Sequence, residues 1–232
     1  MIILALDTSS TTAGAALVDE NMVLAESSVS LTNLRVPAKR KTHSETIMPM
    51  VDMLFKMTGM TLSDVDRIAC TCGPGSFTGL RIGAACAKGL AYAEKKPLIA
   101  VPTLDAMAYT VGSLAAWAVP MLDARRGQVY SALYYKSKRM SDYLAEPVED
   151  VLKKLKQQAN DSSQIIFLGD GAAAHRDCVG AIAPVSHNYL RAANVGALAL
   201  TMPTADEKDF SMLYIRKPQA QREREAREKC SK

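Results

Sequence analysis

Eleven residues in the first half of the chain, Gly73-Pro74-Gly75-Ser76-Phe77-Thr78-Gly79-Leu80-Arg81-Ile82-Gly83, narrow the possible folds more than any other stretch. They follow the apolar run 68–72, which reads as a buried strand, and lead into the small, helix-forming stretch 84–91. A strand, a glycine-rich turn and a helix start make a joint where backbone N–H groups can cradle an anion, helped by the positive potential of the helix N-terminus. Ser76 or Thr78 can serve as the N-cap. The same glycines also permit tight turns and close packing: Gly79, Gly83 and Ala87 recur every four residues, a small-residue stripe where another element can approach. Taken alone the block favours packing over ligand binding, because short glycine motifs occur in many unrelated settings.

The chain has 232 residues, 48% of them hydrophobic and 22% charged, enough for one large domain or two small ones with a substantial core. No apolar run is long enough to cross a bilayer, and residues 1–7 enter a strand without a basic leader, which reads as a cytoplasmic protein. Five cysteines, Cys70, Cys72, Cys86, Cys178 and Cys230, follow no disulfide or zinc spacing and are expected to be reduced. The net charge of +4 comes entirely from residues 216–232, where seven basic residues face three glutamates; residues 1–215 balance at 21 basic against 21 acidic. A neutral body argues against a protein that coats nucleic acid over its whole surface. Glu223–Arg227 and Glu225–Lys229 pair at i,i+4, so the tail reads as a solvated basic helix, with an RNA-assisting arm as the alternative.

Hydrophobic periodicity and turn residues predict strands over 2–7, 13–18 and 22–29 in an antiparallel meander, a polar connection over 31–41, and a helix over 43–58. Strand 66–72, helix 78–94, strand 97–101 and helix 103–112 follow. The second half repeats this order in weaker form: strands 117–123 and 129–135, an extended segment in 139–146, helix 148–159, strand 165–168, a turn at 169–171, a short helix and helix 192–202. Two copies of a strand meander with helical crossovers describe the α/β architecture of actin, Hsp70 and the sugar kinases (ASKHA); the family resemblance given below implies that the second half is reduced. The expected division is 1–108, 109–215 and the tail 216–232. Proteins of that class bind nucleotide between their halves, over turns that here correspond to Asp7-Thr8-Ser9-Ser10 and Asp123-Ala124-Arg125.

The helix over 43–58 has a capping box, Thr42 to Glu45, and one inward stripe of Ile47, Val51, Leu54 and Thr58. Met48, Met50, Met53, Phe55 and Met57 extend its apolar surface nearly all round, and Pro49 is expected to bend or interrupt it. A helix on one face of a sheet needs a single apolar stripe. The surplus predicts a second face buried against another chain, where flexible methionines adapt well.

The motifs Leu6-Asp7-Thr8-Ser9-Ser10, His43-Ser44-Glu45, the glycine-rich block, Ala124-Arg125-Arg126-Gly127-Gln128-Val129-Tyr130 and Tyr214-Ile215-Arg216 together resemble the TsaB (YeaZ) family, from end to end of the chain. Gln128 departs from that pattern, which usually has glutamate there. The resemblance implies a non-catalytic, cytoplasmic subunit of the machinery that forms threonylcarbamoyladenosine in tRNA. Its partners would be the catalytic paralogue TsaD, which modifies adenosine 37 of ANN-decoding tRNAs, and the ATPase TsaE. The implied TsaD interface comprises Ile47, Met50, Val51, Met53, Leu54, Met57, Gly79, Gly83 and Ala87, with a homodimer through the same surface when the chain is alone. Asp7, Thr8, Ser9, Gly73, Gly75, Ser76 and Thr78 would form a vestigial nucleotide or anion turn, with no tightly bound cofactor and ATP used by the wider complex.

Metal-holding relatives place two histidines four residues apart on a helix, whereas His43 is followed at that spacing by Ile47. No metal and no catalytic residue are therefore expected. The competing reading is a stand-alone ASKHA ATPase or phosphotransferase with Asp7 and Asp123 as its carboxylates, although Thr8 and Ser9 stand where nucleotide-binding relatives favour glycine. A metal-dependent peptidase, a third reading, lacks a second histidine at ligand spacing and a nucleophile–base pair.

Overall fold

The computed structural model describes residues 1–31, 41–112, 114–160, 164–204 and 210–216; the expected tail helix and most of the 31–41 connection lie outside them. The first half is a five-stranded sheet in the order β3-β2-β1-β4-β5, built from β1 (Ile3–Asp7), β2 (Thr12–Val18), β3 (Val23–Ser30), β4 (Arg67–Gly73) and β5 (Leu98–Pro102). β1 pairs antiparallel with β2 and parallel with β4, so the meander and the crossover meet on one strand. β1 and β2 are buried at every position because both sheet faces are covered, while the edge strand β3 is half exposed. Alternate residues of β1 serve different layers. Leu4 and Leu6 pack with Ile47 and Ala87 under α1 (His43–Thr58) and α2 (Phe77–Ala93). Ile3 and Ala5 pack with Leu104 and Val195 under α3 (Thr103–Val111) and α7 (Ala192–Ala199).

The capping box of α1 is formed, with the Thr42 N–H donating to the Glu45 carboxylate at 2.7 Å, and the helix ends at Gly59 in the left-handed region, φ +70°. Of the two outcomes expected at Pro49, interruption does not occur: α1 runs through it continuously. One missing N–H is outweighed by the burial of Ile47, Met50, Val51 and Leu54, all 7% exposed or less.

The second half comprises β6 (Trp117–Asp123), β7 (Gln128–Ser131), β8 (Tyr134–Tyr135), β9 (Lys138–Arg139), β10 (Leu144–Pro147), α4 (Val148–Gln158), β11 (Ile165–Leu168), α5 (Asp170–Ala174), α6 (Val185–Asn188) and α7. The strand expected over 129–135 is divided at Ala132-Leu133. There the Leu133 N–H donates to Ser141 Oγ at 3.0 Å and its carbonyl accepts from the Met140 N–H at 2.8 Å, so Leu133 leaves the ladder. The last helix ends at Ala199 rather than 202.

Pairings repeat those of the first half: β6 runs antiparallel to β7 and parallel to β11, and β7 antiparallel to β10. The counterpart of β5 is reduced to one parallel bridge, Phe167 to Ile182. This is the ASKHA fold with a diminished second copy. One core cluster contains Ile3, Ile99 and Leu104 from the first half together with Leu122, Tyr134, Leu168 and Val195 from the second.

Candidate functional site

Between the halves lies a cleft of about 730 Å³, bordered by the β1 turn, the glycine-rich block, the start of α1, the β6–β7 turn and residues 213–216. Asp7 is 1% exposed at the end of β1. Its Oδ1 accepts from the Ser9 N–H at 3.0 Å and the Thr71 hydroxyl at 2.9 Å, while Oδ2 has no partner. Burial raises the Asp7 pKa against the opposing effect of those hydrogen bonds. The Thr8 hydroxyl donates to the Gly79 carbonyl at 2.8 Å, and the Ser76 N–H donates to the Ser9 carbonyl at 2.7 Å.

The glycine-rich block thus closes onto the β1 turn. A Cβ at Gly75 would strike the Ser9 carbonyl, and one at Gly79 the Thr8 carbonyl. Ser76, not Thr78, is the N-cap of α2, its hydroxyl accepting from the Gly79 N–H at 3.3 Å. Gly73, at φ +119°, takes a backbone conformation that favours glycine. Of the residues expected to form the vestigial turn, Asp7, Thr8 and Ser9 are buried and face one another across these contacts with Gly75 and Ser76; Ser76 and Thr78 are exposed at the rim.

His43, at the start of α1, reaches the same turn. Its Nε2 lies 3.1 Å from the Ser10 carbonyl, Nδ1 is unpartnered, and burial lowers its pKa against the pull of Asp7. The imidazole is accordingly neutral at physiological pH, with Nε2–H donating to Ser10. Among the described residues, no cluster of three or more His, Cys, Asp or Glu side chains could hold a metal.

Across the cleft, Asp123 accepts from the Arg125 N–H at 2.7 Å, and the Asp123 N–H donates to Asp170 at 3.0 Å. Burial raises the Asp170 pKa. Arg125, Arg126 and Gly127 all have positive φ, at 61°, 58° and 69°. The Gln128 Oε1 is buried without a partner. Residues 210–216 bridge the two sides, a strap whose Tyr214-Ile215-Arg216 motif the sequence singled out without placing it at the cleft. The Leu213 N–H donates to the Cys72 carbonyl at 2.8 Å, Tyr214 packs on Phe77 with centroids 5.3 Å apart, and Arg216 donates to the Ala124 carbonyl at 3.2 Å. The only sequence signal for it is the Tyr214-Ile215-Arg216 motif.

The nine residues expected at a partner interface divide sharply. Ile47, Met50, Val51 and Leu54 belong to the chain's own core. Gly79, Gly83 and Ala87 are buried as well, and a Cβ at Gly83 would strike the Thr8 side chain, so the small-residue stripe receives the β1 turn rather than a second chain. Helical spacing identified the stripe correctly, but not which neighbour fills it. Met53 and Met57 remain outside, 42% and 69% exposed, joined by Met48 at 40%. Tyr92, near the end of the adjacent α2, is 74% exposed.

The family model of TsaD, described as tRNA N6-adenosine threonylcarbamoyltransferase, matches residues 36–223. The tRNA threonylcarbamoyladenosine biosynthesis protein TsaB of Bacillus subtilis is 32% identical, over 95% of this chain and 96% of that protein. A crystal structure of a Pseudomonas aeruginosa protein described as similar to peptidase YeaZ superposes with a TM-score of 0.76 at 25% identity, covering 93% of this chain and 99% of that one. The ethanolamine utilization protein EutJ of Carboxydothermus hydrogenoformans shares the fold, at a TM-score of 0.54 and 10% identity over 85% of this chain and 90% of that one.

Proposed function

The chain belongs to the TsaB family of tRNA threonylcarbamoyladenosine biosynthesis proteins, and on that premise we propose that it is a non-catalytic subunit that binds and activates a TsaD-type transferase. The observation that carries this reading is the exposed methionine face of α1. Met53 and Met57, one helical turn apart, are exposed beside an inward stripe that is already buried and add nothing to the chain's own core; Met48 is exposed on the opposite flank, with Glu45, Asp52 and Lys56 between. Exposed apolar side chains grouped on one element are costly to leave in water and mark a surface for a partner. Thioethers on flexible stems suit a partner helix of irregular shape.

The cleft supports the non-catalytic part of the proposal. Asp7, one of the two carboxylates of the competing phosphotransferase reading, is covered by Ser9 and Thr71 behind a glycine block whose backbone is occupied by the β1 turn. At 1% exposure the Asp7 carboxylate lies out of hydrogen-bond reach of a substrate in this arrangement. The substrate of the complex would be ANN-decoding tRNA, with a TsaE-type ATPase as a further partner; alone, a second copy of the chain would cover the methionine face.

Threonylcarbamoyl transfer to tRNA in a reconstituted system, with and without the chain, tests the reading. Modification that depends on the chain, with no activity from the chain alone, is the expected result. Full modification in its absence would return the stand-alone phosphotransferase to consideration.

A further inference from the structure

The hairpin of β8 and β9, residues 134–139, belongs to neither the cleft nor the methionine face. It is joined to the sheet at the Trp117–Ala118 end of β6, whereas the cleft borders the Asp123 end. Its two turn residues, Lys136 and Ser137, have φ of 47° and 63°, positions where Asn and Gly are the favoured residues. Turn chemistry therefore does not account for a lysine there. Residues 135–140 are all exposed.

Three cations, Lys136, Lys138 and Arg139, crowd into four positions of a body whose charges balance as a whole. They are not equivalent. Arg139 stacks over Tyr143 at 4.1 Å and lies 3.7 Å from Asp105, which also accepts from the hydroxyls of Tyr134 and Tyr143. Among the described residues, Lys136 and Lys138 have no carboxylate partner. Beside them Tyr135 is 38% exposed, held against Trp117 at a centroid distance of 5.2 Å, with the Lys136 ammonium 5.5 Å from its ring.

We propose that this hairpin is an RNA contact, with Lys136 and Lys138 meeting backbone phosphates and Tyr135 offering its ring to an unpaired base of the tRNA substrate. The inference rests on the proposed role in tRNA modification. Lysines alone would be explained as guards against edge-to-edge strand pairing. That explanation does not call for an exposed, positionally fixed aromatic ring next to Lys136 and paired across the hairpin with Lys138. Cations beside an exposed aromatic ring suit a nucleic acid, because phosphates supply salt-dependent attraction and bases supply a stacking surface.

The test uses a fluorescently labelled, unmodified tRNA transcript with an ANN anticodon, titrated into the complex of the chain with its catalytic partner and, separately, into the chain alone. The double variant Lys136→Gln/Lys138→Gln should weaken binding roughly ten-fold near 0.1 M salt and lower the slope of log affinity against log salt by about 1.5 to 2. Tyr135→Ala should weaken binding at least about five-fold while leaving that slope unchanged. All three positions are exposed, so the fold should survive, as unchanged Trp117 fluorescence in the lysine variant would show. Wild-type affinity and slope in both variants would overturn the proposal. So would loss of capture of the catalytic partner with tRNA binding intact, which would make the hairpin a protein contact. If the chain proves dispensable for modification, the subunit reading fails by itself; reduced tRNA binding by the isolated variants would still uphold the hairpin contact.

Discussion

At Gly79 two physical effects of one methyl group oppose each other. Alanine in place of a helical glycine ordinarily stabilises by about 1 kcal/mol. A Cβ at Gly79 would strike the Thr8 carbonyl, a backbone atom of a strand end that cannot easily move. Overpacking should win, and Gly79→Ala is expected to cost a net of about 1–3 kcal/mol in urea unfolding. Gly89 lies ten residues further along the same helix with nothing within 4 Å of the added carbon. Gly89→Ala should therefore raise stability by about 0.5–1 kcal/mol. Equal effects at the two sites would contradict the packing of the stripe against the β1 turn. Asp7 offers a second contrast. Burial raises its pKa in the folded state, so the carboxyl favours folding when protonated, and that advantage is lost as pH rises from the ordinary carboxylate range through the raised value. Asp7→Asn keeps an acceptor for Ser9 and Thr71 and does not titrate. Stability of the variant relative to the native chain should increase between pH 4 and pH 7; a constant difference would mean that Asp7 titrates normally.

At the scale of elements, α1 has two faces that should respond differently. Leu54 is fully buried, and Leu54→Ala should lower stability by about 2–5 kcal/mol. Met53→Glu places charge on the exposed face and should change stability by less than about 0.5 kcal/mol while abolishing binding to the catalytic partner. Retained binding would remove α1 from the interface. Phe55 is a poorer probe, since its ring packs partly against the core. These two faces also show what could be read without coordinates. The capping box and the bounds of α1 follow from local spacing and agree with the structure, as do Ile47, Val51 and Leu54 of the inward stripe; Thr58, expected with them, is only half-buried. Met50 stands three residues after Ile47, so helical spacing puts it on the inward stripe, not the outer surface; the filling of the glycine stripe depends on which strand end lies above α2, a long-range fact absent from any local pattern. The division of the 129–135 strand was equally hidden, because it results from hydrogen bonds between Leu133 and residues 140 and 141. The buried Thr71 hydroxyl on Asp7 joins positions 64 residues apart, which no spacing rule connects.

For the whole molecule, the question is whether two structurally similar halves behave as two folding units. Each half keeps a core cluster of its own, one under α1 and α2 and one under α4. A third cluster belongs to both, with β1, β5 and α3 of the first half packed against β6, β11 and α7 of the second. α7 seats directly on the first sheet: a Cβ at Gly196 would strike the Val18 side chain, and Ala192 sits 3.3 Å from the carbon that Gly14 lacks. The strap at 210–216 adds polar ties on both sides of the cleft. Opening the halves would expose this shared apolar surface to water, at roughly 25 cal/mol per Å². Neither half should then unfold alone. The chain has one tryptophan, Trp117, buried in the second half, so its fluorescence reports that half, whereas far-UV circular dichroism reports the helices and strands of both. The two signals should trace one coincident transition in urea. A fluorescence midpoint separated from a biphasic dichroism curve would show that the shared cluster does not couple the halves, and that the second copy folds on its own despite its lost strand.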